Sequence, residues 1–295
     1  MSVYEASRIK RSRATKAEIE KRHLFLLEIV AAMKPMTVRQ VFYQATVAGL
    51  VDKTEPAYGK VQRDLVKLRR EGILPYSWIA DSTRWQRKPM TFRDPSEAAR
   101  RTADFYRKNL WADAKDYIEI WLEKDALAGV VFDVTAMYDC PLMVSRGYAS
   151  LTFLHQAAEN INKTGKPTYI YHFGDYDPSG QDAASKIEDE LREFADEVDV
   201  HFCRAAVRPE QIEQWNLPTR PTKKSDTRSK RFGKVSCELD AIHPQHLRQM
   251  VKDAIERHLP AAQFDKLMVA EKSERDFLTL WARLVKDEPN DGLSD

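Results

Sequence analysis

The first quarter of the chain carries apolar residues at helical spacing. Residues 16–33 show this period and are predicted to form one helix. Thr37, followed by Gln40 three places later, has the signature of a capping box, so we expect a second helix to begin at Thr37. A third helix is predicted within 56–72, with Gly72 in the position where glycine commonly ends a helix.

The third predicted helix has an apolar face and a separate basic face. Its apolar stripe is formed by Tyr58, Val61, Leu65 and Leu68. Its basic residues are Arg63, Lys67 and Arg70. Residues 73–81 are rich in β-branched and aromatic residues, which predicts a strand or wing. Three helices followed by a β element favour a winged helix whose third helix enters a DNA groove. A small helical domain with a solvated basic face is equally consistent with this pattern.

From residue 116 onward, short apolar runs alternate with helical patterns. Strands are predicted over 116–122, 141–145, 168–173 and 198–205, the last being the final strand, with helices between them and after 239. Strand–helix alternation of this kind is typical of a parallel sheet covered by helices. A helix over 95–111 would connect the two halves. The sequence therefore predicts a mixed α/β chain with a helix-rich N-terminal part, divided into 1–92, a connector 93–116, and 117–295.

Composition narrows the class of protein. The chain has 295 residues, of which 43% are hydrophobic and 31% charged, and a net charge of +2. These values indicate a globular protein in which any nucleic-acid signal must come from the distribution of charge. Cys140, Cys203 and Cys237 lack the spacing of a disulfide framework or a zinc site. With no apolar run long enough for a membrane span and no signal peptide, we expect a cytoplasmic location.

Three carboxylates follow predicted strands. Glu123 follows the first strand, and Asp175 and Asp177 follow the third. The carboxyl ends of parallel strands meet at one edge, and residues two apart in extended chain point the same way. Carboxylates that converge repel one another unless a cation joins them, and hard oxygen ligands favour Mg²⁺ or Mn²⁺. The alternative is an ordinary acidic turn, since "DPSG" (177–180) is itself a turn signal.

Tyr43 occupies a distinct position on the second predicted helix. Val38, Val41, Phe42 and Ala45 fall on one face of this helix. Tyr43 falls away from that face and near Arg39, one turn earlier. We therefore expect Tyr43 to lie outside the core, with a cation beside its hydroxyl.

Four motifs together resemble a known family. In order and spacing they are similar to segments of the A subunit of topoisomerase VI and its meiotic double-strand-break relative. The motifs are "TVRQVFYQ" (37–44), "WLEKDA" (121–126), "SRGYAS" (145–150) and "FGDYDPSGQD" (173–182). The resemblance covers roughly residues 20–260 and implies a winged-helix domain followed by a toprim domain. Tyr43 corresponds to the nucleophilic tyrosine of that family and Arg39 to its arginine, while Gln40 stands where the family has an acidic residue.

The resemblance implies a reaction and partners. Tyr43 would attack a DNA phosphodiester, leaving a 5′-phosphotyrosyl bond and a free 3′ hydroxyl. Arg39 would steady the phosphate or the tyrosyl oxygen, and Glu123, Asp175 and Asp177 would hold magnesium, or manganese in its place. Cutting both strands needs two tyrosines, which implies a homodimer on double-stranded DNA in the nucleoid. The chain has no phosphate-binding loop of the G-x-x-x-x-G-K type, so an ATPase would be a separate, B-type subunit.

Two alternatives to this reaction remain open from the sequence. A toprim-type nuclease would use water as its nucleophile, with Tyr43 incidental, and a third possibility is a DNA-binding relative that does not cut. Residues 220–234 form a basic stretch that would contact phosphates or would simply be a solvated loop. Its candidate DNA-binding residues are Lys223, Lys224, Arg228, Lys230 and Arg231.

Overall fold

A computed structural model describes residues 15–80, 90–222, 232–233 and 235–287, with side chains described as far as 284. The chain divides into two compact units, Met1–Ile79 and Ala80–Asp295. Across the described ranges, none of the helices combines the length and apolar character that crossing a membrane requires. The prediction of a mixed α/β chain is confirmed.

Three helices build the first unit, as the sequence predicts. They are α1 (Lys16–Met33), α2 (Val38–Val47) and α3 (Glu55–Arg70). A threonine side chain caps each of them at its N-terminus, at Thr15, Thr37 and Thr54. The capping box at Thr37 is confirmed, because its hydroxyl accepts from the Gln40 amide N–H while Gln40 Oε1 accepts from the Thr37 amide N–H. Leu26, Val30, Val41, Val61 and Leu65 lie in the core of this unit.

The segment after α3 does not form the predicted strand. Residues Tyr76–Trp78 form a single 3₁₀ turn, and Ile79 makes an isolated parallel bridge to Met36. The prediction over 73–81 is therefore wrong for the residues that the structure describes there, 73–80. Leu74 and Ile79 are buried in the helical core, so the apolar character of this segment reflects burial beneath the helices rather than strand pairing.

A parallel sheet forms the centre of the second unit. Its strands are β1 (Tyr117–Leu122), β2 (Leu142–Val144), β3 (Thr168–Phe173) and β4 (Val200–Ala206), in the order β2-β1-β3-β4. All three pairings are parallel. These four strands are the ones that the apolar runs predict. Most side chains of β1 and β3 are buried, as expected for strands covered on both faces.

Helices surround the sheet and complete this unit. They are α4 (Pro95–Phe105), α5 (Ala128–Met137), α6 (Leu151–Thr164), α7 (Pro178–Phe194), α8 (Pro209–Gln214), α9 (Pro244–Glu256) and α10 (Ala261–Asp287). α6 and α7 pack against each other, and their apolar residues form a core with Trp121 and Ile170 of the sheet. The predicted connector helix is shorter than expected: α4 ends at Phe105, and it packs along α10.

Two further strands were not predicted. β5 (Thr219–Pro221) and β6 (Val235–Cys237) pair antiparallel as a small second sheet. The expectation that β4 is the final strand is therefore wrong. Each of these strands has three residues, which is too short to show an alternating pattern of apolar and polar side chains. β6 lies next to the segment that follows β3, because Cys237 makes an isolated bridge to Tyr176.

Candidate metal and nucleic-acid site

The order in which strands are added to the sheet reverses between β1 and β3. From β1 the chain passes to β2 on one side, and it later returns to β3 on the other. Such a switch point leaves a crevice at the carboxyl ends of the two strands, where open α/β sheets bind ligands. Leu122 and Phe173 pair at the ends of these strands, and the Glu123 amide N–H donates to the Phe173 carbonyl at 2.9 Å. Glu123 and Gly174 therefore leave the sheet side by side.

The structure brings Glu123 and Asp175 together. The Asp175 amide N–H donates to Glu123 Oε2 at 2.8 Å. Two glycines make this approach possible. A Cβ on Gly174 would lie 2.6 Å from Glu123 Oε2, and a Cβ on Gly180 would lie 3.2 Å from the same atom and 2.6 Å from the Asp175 carbonyl. The Glu123 side chain thus rests directly against glycine backbone.

Lys124 places a positive charge among the acids at this edge. Its Nζ lies 2.8 Å from Asp175 Oδ1 and 2.7 Å from Asp240 Oδ2, with Glu238 Oε2 at 3.6 Å. Asp175 Oδ1 also accepts from the Leu239 amide N–H at 2.8 Å. These carboxylates raise the pKa of Lys124 in spite of its burial, so the ammonium stays charged. The Asp175 side chain is accordingly directed toward Lys124 and the segment that follows β6.

Asp177 is engaged by the start of α7 and by an arginine. Its Oδ1 accepts from the Gly180 amide N–H at 2.8 Å, which caps α7, and its Oδ2 lies 3.2 Å from Arg220 Nη2. Arg220 also contacts Glu238, at 2.9 Å. The cap and Arg220 engage Asp177 while Lys124 engages Asp175, so a shared point for the two carboxylates stays a prediction.

Sequence reasoning missed several residues at this edge. Lys124, Arg204, Glu238 and Asp240 take part in its charge network, together with Arg220 of the predicted basic stretch 220–234. Lys124 carried a signal, since it directly follows Glu123 in the "WLEKDA" motif. Glu238 and Asp240 carried none, because they follow a strand too short to be predicted and reach the edge only through tertiary structure.

The electrostatic environment leaves Glu123 short of compensating positive charge. Burial, and then the neighbouring Asp175 carboxylate, raise the pKa of Glu123 to about 7. Burial also raises the pKa of Asp175, although Lys124 acts in the opposite direction. Arg204 supports the backbone here, since its guanidinium donates to the carbonyls of Asp175 and Gly180. A cation added at this edge would lower the free energy of the ionised Glu123.

His172 is buried next to the same edge. Its ring stacks on Phe202 with centroids 5.6 Å apart, and neither ring nitrogen has a hydrogen-bond partner among the described residues. Burial and the nearby Arg204 charge lower the pKa of His172 to about 3, so the ring is neutral. A ring carbon of His172 and Glu123 Oε2 each lie 2.6 Å from the point where a Gly174 Cβ would stand. The neutral imidazole is therefore a further potential ligand beside the carboxylates.

The donor set suits a hard divalent cation, but the side chains are not arranged around one. Within the described ranges, no three Asp, Glu, His or Cys side chains converge as metal ligands would. The reason lies in the contacts above: Lys124 holds Asp175, and Arg220 with the α7 cap holds Asp177. Oxygen donors and the raised pKa of Glu123 fit Mg²⁺ or Mn²⁺. Binding by all three carboxylates would require Asp175 and Asp177 to exchange these partners.

Tyr43 lies in the core of the first unit rather than outside it. Only 4% of its surface is exposed, so the helical-wheel expectation is wrong. The physical reason is that α2 packs against both α1 and α3 and is covered on more than one side. Lys53 Nζ lies 5.2 Å from the Tyr43 ring centroid, and the Arg39 guanidinium lies 5.4 Å from the centroid of Tyr58.

Gln40 is also buried, and its role is clear. Its Oε1 completes the cap of α2, while its Nε2 has no partner among the residues that the structure describes. A residue at this position therefore has a structural task apart from any chemistry at Tyr43.

The predicted basic face of α3 is exposed. Arg63, Lys67 and Arg70 all point away from the core, and Lys67 forms a 3.8 Å pair with Glu71. Of the predicted apolar stripe, Val61, Leu65 and Leu68 are buried and Tyr58 is partly buried. Five candidate DNA-binding residues lie outside the described residues: Lys223, Lys224, Arg228, Lys230 and Arg231.

The chain matches no protein-family model, and no curated protein matches it significantly.

Proposed function

We propose that this protein cleaves double-stranded DNA in a metal-dependent reaction at the acidic edge formed by Glu123, Asp175 and Asp177. One observation carries the proposal: Glu123 and Asp175 meet at the switch point of a parallel sheet, in hydrogen-bond contact, with a raised pKa on Glu123. The four motifs that resemble the topoisomerase VI A subunit support the same function. The proposal includes two fold assignments: the first unit is a winged helix, and the second is toprim-like.

Each part of the site has a role in the proposed reaction. Glu123, Asp175 and Asp177 would hold Mg²⁺ or Mn²⁺, which supplies charge neutralisation at a phosphate. Lys124 pairs with Asp175 and Arg220 pairs with Asp177, and these contacts hold the two side chains in place until the metal replaces them. The exposed basic residues of α3 bind phosphates of the duplex and position the strand.

The proposed nucleophile is Tyr43, with Arg39 steadying the phosphate. The tyrosyl oxygen bonds to phosphorus, the bond to the 3′ oxygen breaks, and the tyrosine proton passes to the departing oxygen. The products are a 5′-phosphotyrosyl bond and a free 3′ hydroxyl, so the step reverses without a nucleotide cofactor. Because Tyr43 is 96% covered in the unbound chain, this route requires DNA binding to expose its hydroxyl.

The burial of Tyr43 favours a second candidate, a hydrolytic nuclease. In that reaction water attacks the phosphorus at the same acidic edge, and Tyr43 serves only to pack α2 against its neighbours. Both candidates require Asp175 and Asp177, and they differ in whether protein stays attached to the cut end.

Carboxylate substitutions test the shared part of the proposal. We expect Asp175→Asn and Asp177→Asn to abolish cleavage of plasmid DNA in Mg²⁺, while DNA binding measured by fluorescence anisotropy stays close to wild type. Asparagine keeps a capping oxygen at residue 177, so α7 should retain its N-terminus. Asp189→Ala, at an exposed position of the same helix, is the matched control and should cut normally. Full cleavage by both asparagine variants would remove this edge from the chemistry.

A further inference from the structure

A second concave site lies beside the end of β4. A cavity of about 250 Å³ is lined by residues of β4, α8 and α9. Three arginines, Arg204, Arg208 and Arg257, line it together with one acid, Asp253. Because the arginines outnumber the acid, the cavity favours an anionic occupant, and guanidinium groups match the geometry of a phosphate.

A chain of hydrogen bonds fixes one of these arginines. Asp116 Oδ2 lies 2.8 Å from His258 Nδ1, and His258 Nε2 lies 2.8 Å from the Tyr171 hydroxyl. The ring of His258 therefore bridges the Asp116 carboxylate and the Tyr171 hydroxyl through its two nitrogens. The hydroxyl oxygen then accepts from Arg257, which opposes the rise in the pKa of Tyr171 that burial causes. Asp116 and His258 are thus positioning residues for Tyr171 and Arg257.

The Arg204 side chain leaves β4 on the face opposite Cys203 and Ala205 and reaches the carbonyls that follow β3. Its two terminal nitrogens donate to the carbonyls of Gly180 and Asp175, while its Nε is buried and has no partner among the residues described. Burial lowers the pKa of Arg204, and the carboxylates of the acidic edge act in the opposite direction. Arg208 and Arg257 are therefore the arginines available to a phosphate in the cavity.

The lining also includes an aromatic ring. Trp215, at the end of α8, is partly exposed at the cavity and lies with its ring centroid 5.4 Å from that of His246. Met250 adds apolar surface, and Gln214 adds an amide. An aromatic face next to arginines is the combination that receives a nucleobase by stacking while its phosphate is held by charge.

We propose that this cavity binds a nucleotide, with its phosphate at Arg208 and Arg257 and its base against Trp215. The ligand is either a free mononucleotide or one nucleotide of a single DNA strand, since both present the same phosphate and base. This site is separate from the carboxylates of the acidic edge and does not depend on strand cleavage.

Calorimetric titration without metal tests the proposal. The probes are adenosine monophosphate, inorganic phosphate, adenosine and a short single-stranded oligonucleotide. We expect saturable binding of adenosine monophosphate or of the oligonucleotide, at least about tenfold tighter than that of phosphate or adenosine alone, because the two halves of the ligand bind together. Arg208→Gln combined with Arg257→Gln should weaken this binding by about tenfold or more, since charged hydrogen bonds are lost.

Controls separate the cavity from general basic charge. Arg208 is exposed, so Arg208→Gln alone should leave the unfolding temperature unchanged, and thermal unfolding of the double variant, which also loses the Arg257 bond to Tyr171, shows that it folds. Arg192→Gln, at an exposed position outside the cavity, should bind as the wild type does. Binding of the mononucleotide assigns the site to a free ligand, and binding of the oligonucleotide alone assigns it to a DNA strand. Absence of saturable binding by every phosphate probe, or equal binding by the double variant, would overturn the proposal. The Asp175→Asn variant should retain this binding even if DNA cleavage is never observed.

Discussion

Gly174 and Gly180 hold the acidic edge together because neither carries a Cβ. We expect Gly174→Ala to displace the Glu123 side chain, since the new carbon would stand 2.6 Å from its Oε2. Overpacking of this kind costs about 1–3 kcal/mol, measurable by urea unfolding. Gly59→Ala on α3 is the contrasting control, because its Cβ would meet only Arg63, at 3.5 Å, and should stabilise the helix by about 0.5–1 kcal/mol. Equal stability of the Gly174→Ala protein and wild type would show that Glu123 has room to move.

The buried Glu119 side chain should make the free energy of unfolding depend on pH. It is 1% exposed, and burial raises its pKa to about 7, while hydrogen bonds from Trp121 and Tyr117 act in the opposite direction. The folded state therefore holds this proton more tightly than the unfolded state, in which a glutamate has a pKa of about 4.3. Its stabilising effect is complete below pH of about 4 and is lost as the pH rises through about 7. Glu119→Gln should make the free energy of unfolding fall less between pH 5 and 8 than it does in wild type, and identical slopes would contradict the assignment.

The contacts of an individual residue could be predicted where its partners are close in the sequence. The Thr37 cap needs only residues three apart, and the structure confirms it. The exposure of Tyr43 could not be predicted, because it depends on two other helices packing around α2. The contact of Asp175 with the Leu239 amide could not be predicted either, because Leu239 comes from a distant part of the chain, as does Asp240, which shares Lys124 with Asp175.

Helix α3 presents a basic face that should bind the phosphates of DNA. Replacing Arg63, Lys67 and Arg70 together by glutamine should weaken DNA binding, and it should reduce the slope of log affinity against log salt by about 2–3, because each phosphate contact contributes about 0.9. Anisotropy titrations at several salt concentrations measure this slope. Glutamine at Lys186 and Arg192, which pair with acids on their own helix α7, is the matched control. An unchanged slope in the α3 variant would place the DNA elsewhere.

The main elements could be predicted because burial leaves a long pattern in the sequence. β1 and β3 are six-residue strands covered on both faces, and each appears as one apolar run. β5 and β6 leave no such pattern, and the segment around Ile79 is apolar because it lies under helices. Elements that owe their form to tertiary contacts were therefore the ones missed.

At the scale of the whole molecule, the proposal requires two copies of the chain. In the family that the four motifs resemble, each tyrosine works with the metal site of the partner, and a mixture of variants tests this here. Tyr43→Phe and Asp175→Asn should each be inactive alone. After mixing and subunit exchange, the mixed dimer has one complete site in that arrangement, so it should nick one strand. Inactivity of a mixed dimer verified by mass would instead place Tyr43 and the carboxylates of one site in the same chain.

The sequence predicts a helix-rich unit followed by an α/β unit. It does not predict which basic side chain pairs with which carboxylate in the second unit. Alternating strands and helices fix which strand ends carry acids, so Glu123 and Asp175 could be placed at one edge. The positions of Lys124 and Arg220 among those acids follow from side-chain packing, which no spacing in the sequence encodes.

The most direct measurement is a search for protein attached to cut DNA. Plasmid is incubated with the protein and Mg²⁺, the reaction is stopped with detergent, and half of each sample is digested with protease. We expect the wild type to give broken DNA that carries protein on its 5′ ends. Tyr43→Phe loses one oxygen and keeps the packing of its ring, and it should give no such complex. Undiminished cutting by Tyr43→Phe with protein-free ends would contradict the covalent route and identify a nuclease that uses water.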